Sequence, residues 1–152
     1  MATTDINVGA PITGQFTATI VDVAGNPPTD VVRASDAFRI DCSWFITGGL
    51  ASSIGGQWYV QIAFEALGGG AEFRSTEIAI PLDGRTGAGT PYTAQAVFPG
   101  GANFPGGGPV KVPAGDRNAV YEVAALLAHT DVAGNPGPMA ASVNLERLTL
   151  YP

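Results

Sequence analysis

The sequence predicts an all-β fold, a β-sandwich of seven antiparallel strands formed by a single domain that spans residues 1–152. Three observations indicate this class. Apolar and polar residues alternate with a period of two in several runs, which is typical of strands that bury one face. Glycine and proline are frequent, with 21 Gly and 12 Pro, and these residues disfavour long helices. No run shows the period of about 3.6 residues that marks an amphipathic helix.

Three strands are predicted in the first half of the chain, and the second and third alternate more cleanly than the first. Strand A covers residues 14–23 (GQFTATIVDV) and is rich in β-branched residues, which favour strands. Strand B covers residues 38–47 (FRIDCSWFIT), and strand C covers residues 57–67 (QWYVQIAFEAL). Because side chains alternate across a strand, each of B and C should bury every second residue. The predicted inward residues are Phe38, Ile40, Cys42, Trp44 and Ile46 in strand B, and Trp58, Val60, Ile62 and Phe64 in strand C.

Four further strands complete the predicted sandwich. Strand D covers residues 71–82, and its apolar residues change phase between Phe73 and Ile78, which predicts a bulge. Strand E covers residues 91–99. Strand F covers residues 119–129 and is apolar on both faces, so we expect it at the centre of a sheet. Strand G covers residues 142–151. The residues of strand E that should share one face are Tyr92, Ala94, Ala96 and Phe98.

A long connection rich in glycine and proline joins strands E and F. It reads PGGANFPGGGPVKVPAGDRN over residues 99–118, and the tetrapeptide FPGG occurs at 98–101 and again at 104–107. Connections of this length without secondary structure are usually functional or mobile. We therefore predict that this E–F loop either binds a partner or covers the sheet beside it.

The hexapeptide DVAGNP occurs twice, at residues 22–27 and 131–136. The two copies follow strands A and F, and the sequences around them do not otherwise match, so they are not repeated domains. Glycine and asparagine tolerate positive φ and proline interrupts a strand ladder, which favours a strand-ending turn used twice.

Three features resemble the immunoglobulin-like superfamily in its broad sense, which includes fibronectin type III and bacterial Ig-like domains. Cys42 lies at the inward position of strand B, where antibody-type domains place their first disulfide cysteine, and Trp58 lies on strand C, where that family packs its core tryptophan. Tyr121 in GDRNAVYEV is similar to the tyrosine corner that opens strand F. Val123 replaces the second cysteine, so the disulfide is missing. The resemblance implies core roles for Cys42, Trp44, Trp58 and Tyr121, and a tendency to recognise proteins or glycans rather than a chemical activity.

Composition excludes several classes of partner. The net charge is −6, and the seven Lys and Arg residues are spread singly, so we expect no nucleic-acid binding. No apolar run approaches the roughly 18 residues that span a bilayer, and the N-terminal residues lack the pattern of a secretory signal. We therefore expect no membrane insertion, and the compartment stays open between the cytoplasm and an assembled particle.

The sequence does not predict an enzyme. His129 is the only histidine, and no nucleophile elbow accompanies it, so we interpret it as a packed or surface residue. Three glutamates, Glu65, Glu72 and Glu77, cluster around the predicted C–D turn. Alternation with apolar residues favours a solvated face for them, because a general acid would need an apolar pocket.

A calcium site is one alternative that the sequence leaves open. Asp22, Asp30 and Asp131 follow or precede predicted strands, and carboxylates with loop carbonyls are the ligands that Ca²⁺ prefers. If strands A and F end at the same pole of the sandwich, these aspartates lie close together. The opposing interpretation is that aspartates in turns bond to their own backbone.

Aromatic residues at predicted outward positions are the best indication of function. Phe45 and Tyr59 should face outward on neighbouring strands, and Phe98 and Phe104 lie in or beside the E–F loop. Exposed aromatics anchor protein interfaces or stack on sugars. The prediction is a non-enzymatic structural or assembly module that binds a protein, a copy of itself or another chain, through these residues, the FPGG loop, or edge strands A and G. The alternatives are a carbohydrate-binding module and a calcium-stabilised adhesin domain.

Overall fold

The computed structural model describes residues 1–6, 12–22, 30–33, 36–67, 72–99, 103–104, 108–109 and 119–151. Thirteen strand segments lie in these ranges, and ten of them are longer than two residues. One 3₁₀ turn, Ala51–Ser53, is the only helical segment described. The strands are β1 Ala2–Asp5, β2 Thr13–Asp22, β3 Val31–Arg33, β4 Phe38–Thr47, β5 Gln57–Ala66, β6 Phe73–Arg74, β7 Ile78–Pro81, β8 Tyr92–Phe98, β9 Asn103–Phe104, β10 Gly108–Pro109, β11 Ala119–Thr130, β12 Pro136–Asn144 and β13 Leu148–Tyr151.

Two main sheets form the structure, as the predicted β-sandwich requires. The first, sheet A, has the order β1-β2-β4-β8, and all of its pairs are antiparallel. The second, sheet B, has the order β3-β13-β11-β5-β6; β12 also pairs with β11, and β7 also pairs with β5. The all-β prediction is therefore confirmed, and β11, which corresponds to predicted strand F, is central.

The predicted strand count and pairing need three corrections. Seven strands were expected, and ten longer than two residues are described, because β1 and β3 were missed and predicted strand G is split into β12 and β13. Predicted strand D is also split, but its first part, β6, has only two residues. One pair, β3 with β13, is parallel. The E–F connection is not wholly a loop, since β9 and β10 pair with each other inside it.

The interruption in predicted strand D has a local cause. Between β6 and β7, the buried Ser75 replaces a regular ladder residue: its N–H donates to the Ile62 carbonyl at 2.8 Å, and its Oγ accepts from the Ile62 N–H at 2.9 Å. Gln61 also donates its side-chain amide to the Ser75 carbonyl. The chain therefore changes phase without leaving these backbone groups unpaired, which is what a bulge achieves.

The core lies between the two sheets and has an aromatic cluster at each end. At one end, which we call the tryptophan pole, Trp44 packs against Trp58 and Tyr92, with ring centroids 6.1 and 5.8 Å away. At the other, the phenylalanine pole, Phe98 stacks on Phe38 at 5.0 Å and meets Phe64 edge-on at 5.1 Å. Tyr121 also contacts Phe64 at this end. Strands β4 and β5 each contribute residues to both clusters, so they run from one pole to the other.

Candidate functional site

The two aromatic residues expected to form one platform lie on opposite sides of the molecule. Phe45 is on β4 in sheet A, and Tyr59 is on β5 in sheet B. Both alternate with buried neighbours and are half-buried, so each points to the outer face of its own sheet. The Tyr59 hydroxyl donates to the Gln57 Oε1 at 3.0 Å. The prediction that they neighbour each other is wrong, because strands B and C follow one another in the chain but belong to different sheets.

Phe98 does not occupy an outward position. Its side chain is 1 % exposed and is held between Phe38 and Phe64 at the phenylalanine pole. The predicted partner-binding role of Phe98 is wrong, since contact with another molecule would require the core to open. For Phe104 the backbone pairs with Gly108, and its side chain lies outside the described part of the structure.

Four residues assigned to the core by the sequence are all buried: Cys42, Trp44, Trp58 and Tyr121. Cys42 is a free thiol, and burial raises its pKa to about 12, so it stays protonated and unreactive at neutral pH. The indole Nε1 atoms of both tryptophans have no hydrogen-bond partner among the described residues. Burial also raises the pKa of the Tyr121 phenol.

His129 is part of the tryptophan pole. It is 4 % exposed, its ring lies 5.6 Å from that of Trp58, and its Nε2 is 2.9 Å from the Gly55 carbonyl oxygen. Since a carbonyl only accepts, Nε2 carries the proton. Its Nδ1 has no hydrogen-bond partner in the described part of the chain and points at Gly137 on β12, where a Cβ atom would come within 1.9 Å of it. The histidine is therefore a packed residue and not an accessible base.

The three aspartates proposed for calcium do not converge. Asp22 pairs with Phe38 at the phenylalanine pole, whereas Asp131 follows Thr130, which pairs with Gln57 beside the tryptophan pole. The Asp30 carbonyl accepts from Thr149 at the phenylalanine end. In the described residues, no three carboxylate, histidine or cysteine side chains come together as metal ligands would. The condition for bringing these aspartates together is therefore not met, because strands A and F end at opposite poles.

Asp131 instead organises the turn between β11 and β12. Its Oδ1 accepts from the N–H groups of Ala133 and Asn135, both at 2.9 Å, and Gly134 adopts a φ of +84°. Hydrogen bonds from Asn135 and Ala133 lower the pKa of Asp131. The second copy of DVAGNP is thus a strand-ending turn, as the sequence predicts. In the first copy, the residues after Asp22 lie outside the described ranges.

A charged pair borders the tryptophan pole. Arg85 binds Asp83 at 2.6 Å and places its guanidinium carbon 4.8 Å from the centre of the Tyr92 ring. This contact lowers the pKa of Asp83 far below its usual range, and burial raises the pKa of Tyr92. The pair is exposed to solvent, so it orients the loop before β8 more than it stabilises the fold.

Much of the outer face of sheet B carries no charged side chain among the described residues. Tyr59 on β5 lies between Ala79 on β7 and Ala128 on β11. In the next outward-facing row, Leu126 on β11 lies between Gln61 on β5 and Ser142 on β12. Charges appear in the rows toward the phenylalanine pole, where Arg74 lies opposite Ala63 and Glu65 lies opposite Glu122. We call the uncharged part the alanine face; its members are Tyr59, Ala79, Leu126, Ala128 and Ala140.

Two surface depressions accompany these faces. One has a volume of about 520 Å³ and lies at the charged end of sheet B, lined by Glu65, Glu72, Glu122 and Arg74 around an alanine floor. Glu65, Glu72 and Glu77 are exposed, as expected of a solvated face. The other, of about 400 Å³, lies on sheet A, where the Phe45 ring is bordered by Asp5 and Gln15.

Sequence reasoning missed the features that depend on cross-strand register. Nothing in residues 136–141 (PGPMAA) has the composition of a strand, yet they form the first part of β12. The alanine face also cannot be recognised from any single segment of the sequence, because its members come from four strands. The signal that could have revealed it is the two-faced apolar character of predicted strand F, which leaves Ala124, Leu126 and Ala128 on the side away from the core.

Comparison with known proteins supplied no family. The scan against protein-family models found no match, and the search of curated proteins also found none. Among the described residues, no helix has the length and apolar character needed to cross a membrane.

Proposed function

We propose that this chain is an immunoglobulin-like sandwich that catalyses no reaction and serves as a structural module. It associates with other protein chains, in the first instance with copies of itself. The strand order supports the fold assignment. Taking β2, β4 and β8 as strands A, B and E, and β5, β11 and β12–β13 as strands C, F and G, the sheets read A-B-E and D-C-F-G. The D segments pair with C rather than with E, which is the arrangement of fibronectin type III domains.

The alanine face is the observation that carries the functional proposal. Small and apolar side chains on the solvent side of a central strand contribute nothing to the core, and a monomer gains solubility by replacing them with charged residues. Tyr59 and Leu126 provide larger anchors within this face, and tyrosine is enriched in protein interfaces. The surrounding alanines let a second surface approach closely. The net charge of −6 is carried elsewhere, chiefly toward the phenylalanine pole and the loops.

An enzyme is not favoured by any described geometry. The single histidine has one nitrogen at the Gly55 carbonyl and the other against Gly137, so it cannot serve a nucleophile without repacking. The carboxylates near the larger depression are exposed, whereas a general acid needs to be held in an apolar pocket.

The test is the concentration dependence of mass, measured by light scattering and sedimentation. Leu126→Lys places a charge at the centre of the alanine face and should weaken self-association by about tenfold or more, as the loss of a buried anchor does. Thr19→Lys, on the outer face of sheet A, is the matched control and should leave association unchanged. A wild-type chain that stays monomeric at every concentration, with no protein partner captured through this face, contradicts the proposal.

A second candidate function is sugar binding at the Phe45 depression. Its support is the combination of an outward, half-buried ring with the polar side chains of Asp5 and Gln15 at its edge, since sugars stack on aromatic rings and hydrogen-bond beside them. Glycan-array binding that is lost in Phe45→Ala and kept in Tyr59→Ala would establish this function. Equal binding by both variants, or none by the wild type, would remove it.

A further inference from the structure

The open edges of the two sheets differ in how they are protected. Natural sandwiches limit edge-to-edge pairing with short strands, charges, prolines or bulges. In the described residues, β1 and β7 have four residues each, with Asp5 and Pro81 at their ends, β3 has three and ends at Arg33, and β12 carries Pro136 and Pro138. Of the two strands that the sequence suggested as edges, strand A is paired on both sides as β2. Strand G is divided into β13, which is paired on both sides, and β12, which among the described residues pairs with β11 alone.

β8 is the exception. It is the last strand of sheet A, and among the described residues it pairs only with β4. Its seven residues, YTAQAVF, contain no charge and no proline, although Pro91 and Pro99 stand directly outside it. Its outward side chains Thr93, Gln95 and Val97 are exposed, with Val97 49 % exposed. Such an edge resembles a site for strand addition more than the protected edge of a monomer.

The hydrogen bonds of sheet A show which backbone groups of β8 are available. Gly87 donates its N–H to the Ile46 carbonyl at 2.9 Å, so Ile46 directs its backbone groups away from β2. In an antiparallel ladder the direction of the backbone N–H and C=O groups alternates from one residue to the next. The backbone groups of Trp44, Cys42 and Ile40 therefore point toward β8. There they form hydrogen bonds with the backbone groups of Tyr92, Ala94 and Ala96, which lie opposite them. It follows that Thr93, Gln95 and Val97 direct both N–H and C=O to the open side.

We propose that the β8 edge is a self-association site, at which β8 of a second copy pairs antiparallel about a two-fold axis through Gln95. This register sets Gln95 opposite Gln95 of the other copy and Thr93 opposite Val97. Each facing pair exchanges two backbone hydrogen bonds, which gives about six in total. The central amides bond to each other, β-branched side chains face β-branched side chains, and no like charges meet. The two copies of sheet A then form one continuous sheet of eight strands.

This inference rests on the proposed function, self-association, and places one contact between copies at the β8 edge, on a different surface from the alanine face. The contact is narrower than interfaces that bury about 1,200–2,000 Å², so we expect a dimer that forms with rising concentration rather than an obligate one. A charge at Gln95 would face its own copy across the axis. The Gln95 N–H points away from β4, and its side chain points to solvent, so charged variants should fold normally.

The experiment compares Gln95→Lys, Gln95→Glu and their equal mixture by sedimentation equilibrium, after circular dichroism has shown that each variant folds. Each variant alone should associate roughly tenfold more weakly than the wild type, because like charges oppose each other. The mixture should regain association as a mixed dimer, since opposite charges then meet at the axis. Thr19→Lys, which places a lysine on the outer face of interior strand β2, is the matched control and should associate like the wild type.

The outcomes separate the two proposals. Wild-type association that both Gln95 variants retain overturns the β8 site and leaves the proposed function standing. Variants that become monomeric and stay so when mixed overturn the two-fold register. A wild type that never associates removes self-association at both surfaces.

Discussion

The contact between Gly137 and His129 allows a sharp test of the packing at the tryptophan pole. A methyl group on Gly137 would lie 1.9 Å from His129 Nδ1, whereas ordinary contact begins near 3.4 Å, so the ring or β12 must move by about 1.5 Å (3.4 − 1.9). The ring is bounded on its other sides by Trp58 and by the 2.9 Å hydrogen bond to the Gly55 carbonyl. A movement of this size breaks that bond or displaces the indole.

The expected cost of Gly137→Ala follows from these terms. Overpacking a core typically destabilises by about 1–3 kcal/mol, and losing a buried hydrogen bond adds about 1 kcal/mol. The lower entropy of the unfolded alanine variant offsets about 0.4–1 kcal/mol. We therefore expect the free energy of unfolding to fall by roughly 1–3 kcal/mol, measured by urea unfolding followed through fluorescence of the two buried tryptophans.

A double-mutant cycle isolates the contact. In a His129→Ala background, the methyl group of Gly137→Ala enters vacated space, and the substitution should be neutral or stabilising. Gly49→Ala is the control, since a Cβ there meets nothing within 4 Å. An unchanged stability of Gly137→Ala, or the same loss with and without the His129 ring, would show that the ring does not lie against β12 as described.

Two further predictions concern the core. Trp58→Ala should lower the free energy of unfolding by about 3–5 kcal/mol as a large-to-small core change, whereas Trp58→Phe should cost less, because it also removes an unpaired indole N–H; equal losses in urea unfolding would contradict this order. Cys42 should resist iodoacetamide until the chain unfolds. Because burial raises its pKa from 9.0 to about 12, the unfolded state loses the thiol proton first, and stability should fall as pH rises through this interval. Cys42→Ala should show a weaker decline, and an identical decline would assign the effect to other groups.

The sequence predicts those parts of the fold that depend on local alternation. Strand B has the same limits in prediction and structure, residues 38–47, because five inward apolar residues alternate with outward residues that, apart from Phe45, are polar. The beginning of β12 escapes the same reasoning, since Pro136 and Pro138 are typical of turns and are tolerated only because β12 is an edge strand.

The candidate site was harder to predict, for reasons that are equally physical. Phe98 ends a strand whose inward face was identified correctly, but its position beside a glycine-rich segment suggested that its side chain is exposed. Its ring is buried instead, because it packs against Phe38 and Phe64. Phe45 and Tyr59 alternate in the same way, and only the assignment of their strands to different sheets separates them. Which residues share a surface is a property of pairing between distant segments.

The β8 edge and the alanine face lie on different sheets, and this location determines how copies of the chain could form larger assemblies. A copy joined to a neighbour at one of these surfaces keeps the other available, so each molecule has a valence of two. If both contacts are two-fold, alternating between them gives a closed assembly with dihedral symmetry where the two axes intersect at a suitable angle, and an open filament where they do not. Blocking either surface would limit both kinds of assembly to dimers.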